Sequence, residues 1–289
     1  MKKLILFVAF AVVSQCSLAL APYLKGDKLP AADLNVQIEQ VEKKLQSEGF
    51  TLVGRYLPKG IPGRATIVAT DAAMQAAIRS AGGSAIVASG IRVGVLADGT
   101  VSYMNPDYWY RAYLRGQFKS AQASVKATHG KLAKALGDGG GFGGDVPEAD
   151  LENYRYMFGM ERFDSINSEL ASHASFDVAL KTVRDNLAAG LAKTGKVYEV
   201  VSAANQTAVF GVALNDPGEG DGFWVNKIGA EHMAGLPYEL FIVGNKVFGF
   251  YGRYRIALAW PALGMGQFMG IMKTPDAIRA TLLQVAGGQ

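Results

Sequence analysis

Two distant stretches of this chain can be laid on one another, and that likeness constrains the fold more than any motif. Residues 91–114 read IRVGVLADGTVSYMNPDYWYRAYL, and residues 238–260 read YELFIVGNKVFGFYGRYRIALAW. Asp98 and Gly99 fall on Gly244 and Asn245, Val101 on Val247, and Tyr108 on Tyr254. In both, alternating apolar runs flank a two-residue turn of the kind hairpins prefer. Between them lies GDGGGFGGDVPE, residues 137–148, with six glycines in its first eight positions. Such a stretch is costly to order and reads as a flexible joint.

The flanking segments extend the likeness. In the first half, Ile38, Val41 and Leu45 recur at helical spacing, Gly49 stops the helix, and FTLVGRY begins a strand. In the second, Val178, Leu180, Val183 and Leu187 mark a helix and KVYEVV a strand. Each half closes on a helix, KATHGKLAKALG in the first and TPDAIRATLLQVAG in the second. Thr274 is the expected N-cap of the second, with Pro275 at its first position. The expected fold is therefore α+β, with two related helix–strand–helix–hairpin–helix domains in tandem. The boundaries are 1–21 for a leader, 33–136 for the first repeat, 137–147 for the joint and 148–286 for the second repeat.

The order of helix, strand, hairpin VGVLADGTVSYMNP and closing helix resembles the uncharacterised exported and cytosolic domains known as domain of unknown function 302. Asn105 and Pro106 carry the closest likeness, and the second half joins through its hairpin and last helix. A Cys-Asn-Pro segment pictured for that family has no counterpart here. The resemblance implies a compact α+β unit that tends to pair, and no settled chemistry. Two copies in one chain would pair internally, which leaves homo-oligomerisation open.

The leader MKKLILFVAFAVVSQCSLALA has two lysines, an apolar run over residues 4–13, and small residues at Ser17, Ala19 and Ala21. This is the layout of a secretory signal peptide. The run falls short of the roughly 20 residues that span a bilayer. Cleavage is expected after Ala19, giving a periplasmic or secreted chain. A lipoprotein anchored on Cys16 is the less favoured outcome, because Gln15 stands where a small residue is expected. Removing Lys2 and Lys3 takes the formal charge from +4 to +2, and the only cysteine leaves with them. The remaining chain has no disulfide and no thiolate, and needs a real apolar core. Without a dense Lys/Arg run, nucleic acid is not an expected partner. No membrane span is expected after cleavage.

The segment from Tyr251 carries the strongest chemistry. Read as a strand continuing from Lys246, it puts Phe248, Phe250, Tyr254, Ile256 and Leu258 on one face and Tyr251, Arg253 and Arg255 on the other. Two guanidiniums beside a tyrosine make a clamp for a carboxylate or phosphate. The first half offers Arg111 and Arg115, four apart as on a helix face, beside Tyr108 and Tyr110. The competing reading is solvated or paired arginines and core tyrosines. Met265, Met269 and Met272 fall on one helical face, and Met157 and Met160 form a second pair. Thioethers bind Cu(I), but Phe268 and Ile271 interleave, so core packing is the preferred reading. Of His129, His173 and His232, the last, beside Glu231, is the best acid/base candidate, and no zinc spacing occurs. The loop DPGEGDG, residues 216–222, has oxygens for Ca²⁺ but lacks the twelve-residue pattern. No nucleophile elbow, triad spacing or nucleotide fingerprint is present.

The first expectation is thus a non-catalytic module, without cofactor, binding a small anionic or partly apolar molecule or another periplasmic protein. An enzyme with acid/base groups assembled from both halves is the alternative, and Cu(I) handling the third.

Overall fold

The computed structural model describes residues 18–288. The first half runs β1 (Ala19–Leu20), β2 (Tyr23–Lys25), α1 (Leu34–Ser47), β3 (Thr51–Tyr56), β4 (Arg64–Thr70), α2 (Ala72–Ala81), β5 (Ile91–Leu96), β6 (Val101–Met104), α3 (Pro106–Leu114) and α4 (Phe118–Leu136). A crossing follows with β7 (Gly141–Phe142), β8 (Val146–Pro147) and α5 (Glu148–Leu151). The second half runs β9 (Glu169–Ser172), α6 (Phe176–Ala188), β10 (Thr194–Ser202), β11 (Thr207–Leu214), α7 (Asp221–Ile228), β12 (Tyr238–Val243), β13 (Lys246–Gly249), α8 (Gly252–Ala259), α9 (Met265–Met269) and α10 (Thr274–Ala286). The protein is α+β, and its sheet ladders are antiparallel.

One sheet has the order β3-β4-β5-β6-β2-β7 and the other β10-β11-β12-β13-β9. Leaving β7 aside, these are the same order. Each half contains more than the expected series: an opening strand, and a second strand in the first hairpin. The helices start on matching devices. Asp33 accepts from Asn35 N–H at α1, and Ser175 accepts from Val178 N–H at α6. Both satisfy donors that a helix start leaves free. Ile38, Val41 and Leu45 line the buried face of α1, and Phe176, Ala179, Leu180, Val183 and Leu187 that of α6. Val178, expected inside, faces out. At α10 the cap is Lys273, one residue before the expected Thr274.

The registers make the correspondence residue-specific. A bulge in β3 falls at Val53, opposite Val68 and Ala69, and a bulge in β10 falls at Val197, opposite Gly211 and Val212. Gly94 pairs with Ser102 in the first half, and Phe241 with Phe248 in the second. The β5–β6 turn is one residue longer than the β12–β13 turn. Matching Val101 to Val247 therefore matches Arg92 to Glu239.

The halves meet through matching parts. β3 packs on β10, where a Cβ at Gly54 would lie 2.4 Å from Val197 O. The 3₁₀ segment Gly83–Ser89 packs on β11 and β12, while Met233–Gly235 packs on β4, β5 and β6. The contacts are thus reciprocal: each half lays a 3₁₀ segment on the other's sheet. One cluster of buried residues runs from Tyr23 to Ala286 through both halves.

The glycine-rich joint is held in place. Gly139 N–H donates to Lys25 O at 2.9 Å, and β7 adds to the edge of β2. Of the proposed leader, residues 1–17 lie outside the described residues. Residues 18–21 belong to the fold: β1 pairs with β8, and Asn105 Nδ2 donates to Ala21 O at 2.8 Å.

Candidate functional site

The segment expected to continue as a strand turns into α8 at Gly252, where a Cβ would stand 2.4 Å from Pro275 Cα. Helical geometry separates residues two apart by about 200°, so Arg253 and Arg255 part company. Arg255 goes inward. Its Nε donates to Glu239 Oε2 at 2.7 Å and its Nη2 to Gly235 O at 2.7 Å. Arg92 reaches the same carboxylate from the first half through Nη1 and gives its Nε to Ala234 O at 2.8 Å. All three ionic groups are buried. Both guanidiniums lie over the Trp109 ring, at 4.3 and 5.0 Å. Arg255 is therefore part of the seam rather than a ligand clamp.

The other predicted binding residues also have internal partners. The hydroxyls of Tyr154, Tyr108 and Tyr23 donate to Ala257, Leu258 and Ala259 O at 3.0, 2.8 and 2.8 Å, serving carbonyls at the end of α8. Tyr254 is buried among Phe250, Tyr154 and Phe163. Tyr251 donates to Asp276 Oδ1 at 2.6 Å, and Arg253 lies 3.7 Å from Glu161. Arg111 pairs with Glu148 at 2.6 Å and covers the Phe118 ring.

His232 is packed by the rings of Tyr23, Phe142 and Trp260. Burial holds its pKa below the ordinary value, partly opposed by Glu231, whose carboxylate stands 3.7 Å away, beyond hydrogen-bonding reach. His129 faces Asp107, which raises its pKa, and His173 contacts Ala286 O at 2.9 Å. In the DPGEGDG loop, Asp216 accepts from Gly218 N–H and Lys193, while Asp221 is buried under Tyr56. No group of three or more His, Cys, Asp or Glu among the described residues is placed to hold a metal ion. The three methionines 265, 269 and 272 are 56, 57 and 53% exposed, so they do not pack the core as expected.

The arrangement with free chemistry is a cleft of about 380 Å³ on the face of the second sheet turned toward the first half. Phe241 and Phe248, stacked at 5.5 Å, form its floor, and Phe163 forms a wall. Ser84 borders it from the first half. Arg115 and Asp164 stand at its rim, joined at 3.2 Å, with the guanidinium 5.2 Å from the Phe163 ring. A second cleft of about 430 Å³, lined by Gln117, Glu152 and Asn153, shares Ser84 and Arg115 with it. An apolar and a polar recess thus adjoin at one guanidinium.

Two further observations concern residues of this place. Arg115, the elbow between α3 and α4, has φ 53° and ψ −133°, a conformation that favours glycine. A non-glycine residue held there costs of order 1–3 kcal/mol, and such outliers gather at ligand sites. Ser168, a residue of the lining, is only 4% exposed, and its buried hydroxyl has no hydrogen-bond partner, which is also true of the buried hydroxyls of Ser89, Ser102, Tyr110 and Tyr198.

No family model matches this chain, and no curated protein or solved structure matches it either. Among the described residues no helix is long and apolar enough to cross a membrane.

Proposed function

We propose that this is an exported, non-catalytic module that binds a small, partly apolar molecule in the cleft between Arg115 and Phe248. The observation that carries this is the joining, in one recess, of an aromatic floor with a guanidinium at the rim whose backbone is strained. Small-molecule sites commonly combine an apolar lining with a few convergent polar groups, and the volume lies at the small end of their range. The two halves, read as copies of one ancestral unit, are both needed: Ser84 and Arg115 come from one, the phenylalanines from the other. Export rests on the leader pattern. The bond from Asn105 to Ala21 weighs against a cut after Ala21, which would remove the accepting residue.

The test is a fragment panel screened by nuclear magnetic resonance on protein with labelled phenylalanines. Hits are expected to shift Phe163, Phe241 and Phe248 and to be lost in Phe248→Ala. Hits that leave all three signals unmoved would remove the cleft from consideration.

A second reading has its own observation. The solvent exposure of Met265, Met269 and Met272 leaves three thioethers available to a soft cation such as Cu(I). Titration of Cu(I) against a chromophoric chelator should show one ion bound, lost in a Met→Leu triple variant. No competition by the wild type would end this reading.

A further inference from the structure

The aromatic cleft says what kind of molecule it suits, and a residue of the chain itself supplies the clue. Residues 152–168 form a strap anchored by two buried rings. Tyr154 is bonded to α8, and Phe163 packs on Phe250 at 4.8 Å. Between and beyond these anchors the strap turns apolar side chains to solvent, Phe158 at 92% and Ile166 at 91% exposure. Ile166 borders the cleft, so a molecule seated on Phe241 and Phe248 would meet an apolar wall that now faces water. One residue after the Phe163 anchor, the strap delivers Asp164 to the guanidinium of Arg115.

We propose, on the basis of the binding reading above, that the ligand is a monocarboxylate on an aromatic or alicyclic body, and that it displaces Asp164 from the guanidinium of Arg115. Three features fit this chemistry. The contact at Arg115 is already carboxylate to guanidinium, through a single nitrogen, Nη1. A free ligand can approach the planar fork with both oxygens, which is the stronger arrangement. The charges in the lining are one arginine and two acids, Asp164 and Glu169, the latter paired with Lys246 at 2.8 Å. A phosphate dianion would face both acids with one guanidinium, whereas a single negative charge replaces Asp164 one for one. Ser84, in the lining, adds a partner for one polar substituent on the ligand body.

The competition is winnable. Asp164 is 61% exposed in its side chain and Arg115 33%, and ion pairs this open contribute little. The strap is held by its rings rather than by this pair, so Asp164 can yield while the cleft stays in place.

The test uses the full chain and four probes: 3-phenylpropionate, 3-phenylpropionamide, cyclohexanecarboxylate and phenyl phosphate. Binding is read by calorimetry and by the Phe248 signal. The carboxylates should bind at least tenfold tighter than the amide, and Arg115→Gln should erase that difference. Asp164→Asn should tighten the carboxylates two- to fivefold, the effect expected of removing an exposed competing charge, and leave the amide unchanged. Equal binding of carboxylate and amide, or weaker carboxylate binding in Asp164→Asn, would overturn the proposal while leaving the cleft reading intact. Preference for phenyl phosphate would overturn the monoanion assignment. Absence of binding by all four probes, with no movement of Phe248, would overturn both.

Discussion

The same place in the two halves is built in opposite ways. In β5 and β6 the paired residues are Gly94 and Ser102, while in β12 and β13 they are Phe241 and Phe248. Over the first pair the 3₁₀ segment Met233–Gly235 lies so close that a Cβ on Gly94 would stand 2.9 Å from Met233 Cβ. Thr66 and Arg92 fix that segment through Met233 O at 2.7 Å and Ala234 O at 2.8 Å. Over the second pair, the partner segment leaves Ser84 at the edge of an open cleft. Small residues let one half close on its partner, whereas large rings hold the other apart. A chain with two unlike halves can thus have one sealed seam and one recess, which a pair of identical subunits related by the same axis cannot.

The sealed side should break hardest at its charges. Removing one member of a buried, hydrogen-bonded ion cluster leaves an uncompensated charge, typically at a cost of about 3–5 kcal/mol. Glu239→Ala strands both Arg92 and Arg255 and should lower the unfolding midpoint more than Gly94→Ala or Phe248→Ala. Chemical denaturation is the measurement. A loss under about 1 kcal/mol, far below the usual cost of a stranded buried charge, would mean that the cluster does not govern the seam.

Next in size is a pH effect at the same seam. Burial raises the Asp221 carboxyl to about 6, against partial opposition from the Tyr56 hydroxyl and Leu214 N–H. The unfolded chain titrates this group near 4. The folded form therefore holds a proton that the unfolded form has released, and stability should fall as pH rises from about 4 to about 6, then level off. The amount is of order 3 kcal/mol. Denaturation midpoints across that range check it, and Asp221→Asn should flatten the slope. A slope of opposite sign from this residue would contradict its burial.

The third prediction transfers steric content between the two faces. Gly94→Ala adds a methyl where Met233 and Ser102 already press, and overpacking of this kind costs about 1–3 kcal/mol. Phe248→Ala on the open face should cost less than a fully buried phenylalanine would, because Phe248 is only half-buried. Paired unfolding curves decide the order.

Much of this comparison is legible in the residues, though not its outcome. The hairpin β12–β13 and the match of Tyr108 to Tyr254 follow from alternation and turn chemistry, which are local. β11 is harder to see because it is buried on both faces, and such a strand loses its alternation and reads as an unbroken apolar run. Strand geometry puts Arg253 and Arg255 on one face, yet Gly252 opens a helix that sends them apart. Arg115 stands out as a candidate in the sequence, but in company with Arg111. The helix that would align them ends at Leu114. Its real neighbours, Phe163, Ser168 and Phe241, come from segments far along the chain, and no local pattern announces that meeting. The methionines mislead in the other direction. Their helical spacing suggests a core face, yet α9 turns Met265 and Met269 to solvent, and Met272 is exposed beyond its end.

The smallest expected effect separates architecture from binding most directly. Arg115 sits where glycine would be at ease, and Gly116 is the next residue. If the arginine is there for the fold, both Arg115→Ala and Arg115→Gly should destabilise by removing the contacts to Asp164 and Phe163. If it is there for a ligand, its backbone is a standing cost, and the two variants should diverge. Both lose the same side-chain contacts, but only glycine relieves the left-handed backbone. Arg115→Gly should therefore be more stable than Arg115→Ala by about 1 kcal/mol, and at least as stable as the wild type, because an exposed ion pair contributes little. Neither variant should retain the carboxylate preference. Equal destabilisation of the two by more than about 1 kcal/mol, beyond what an exposed pair supplies, would mean that the side chain holds the elbow together, and the strain would then say nothing about a ligand.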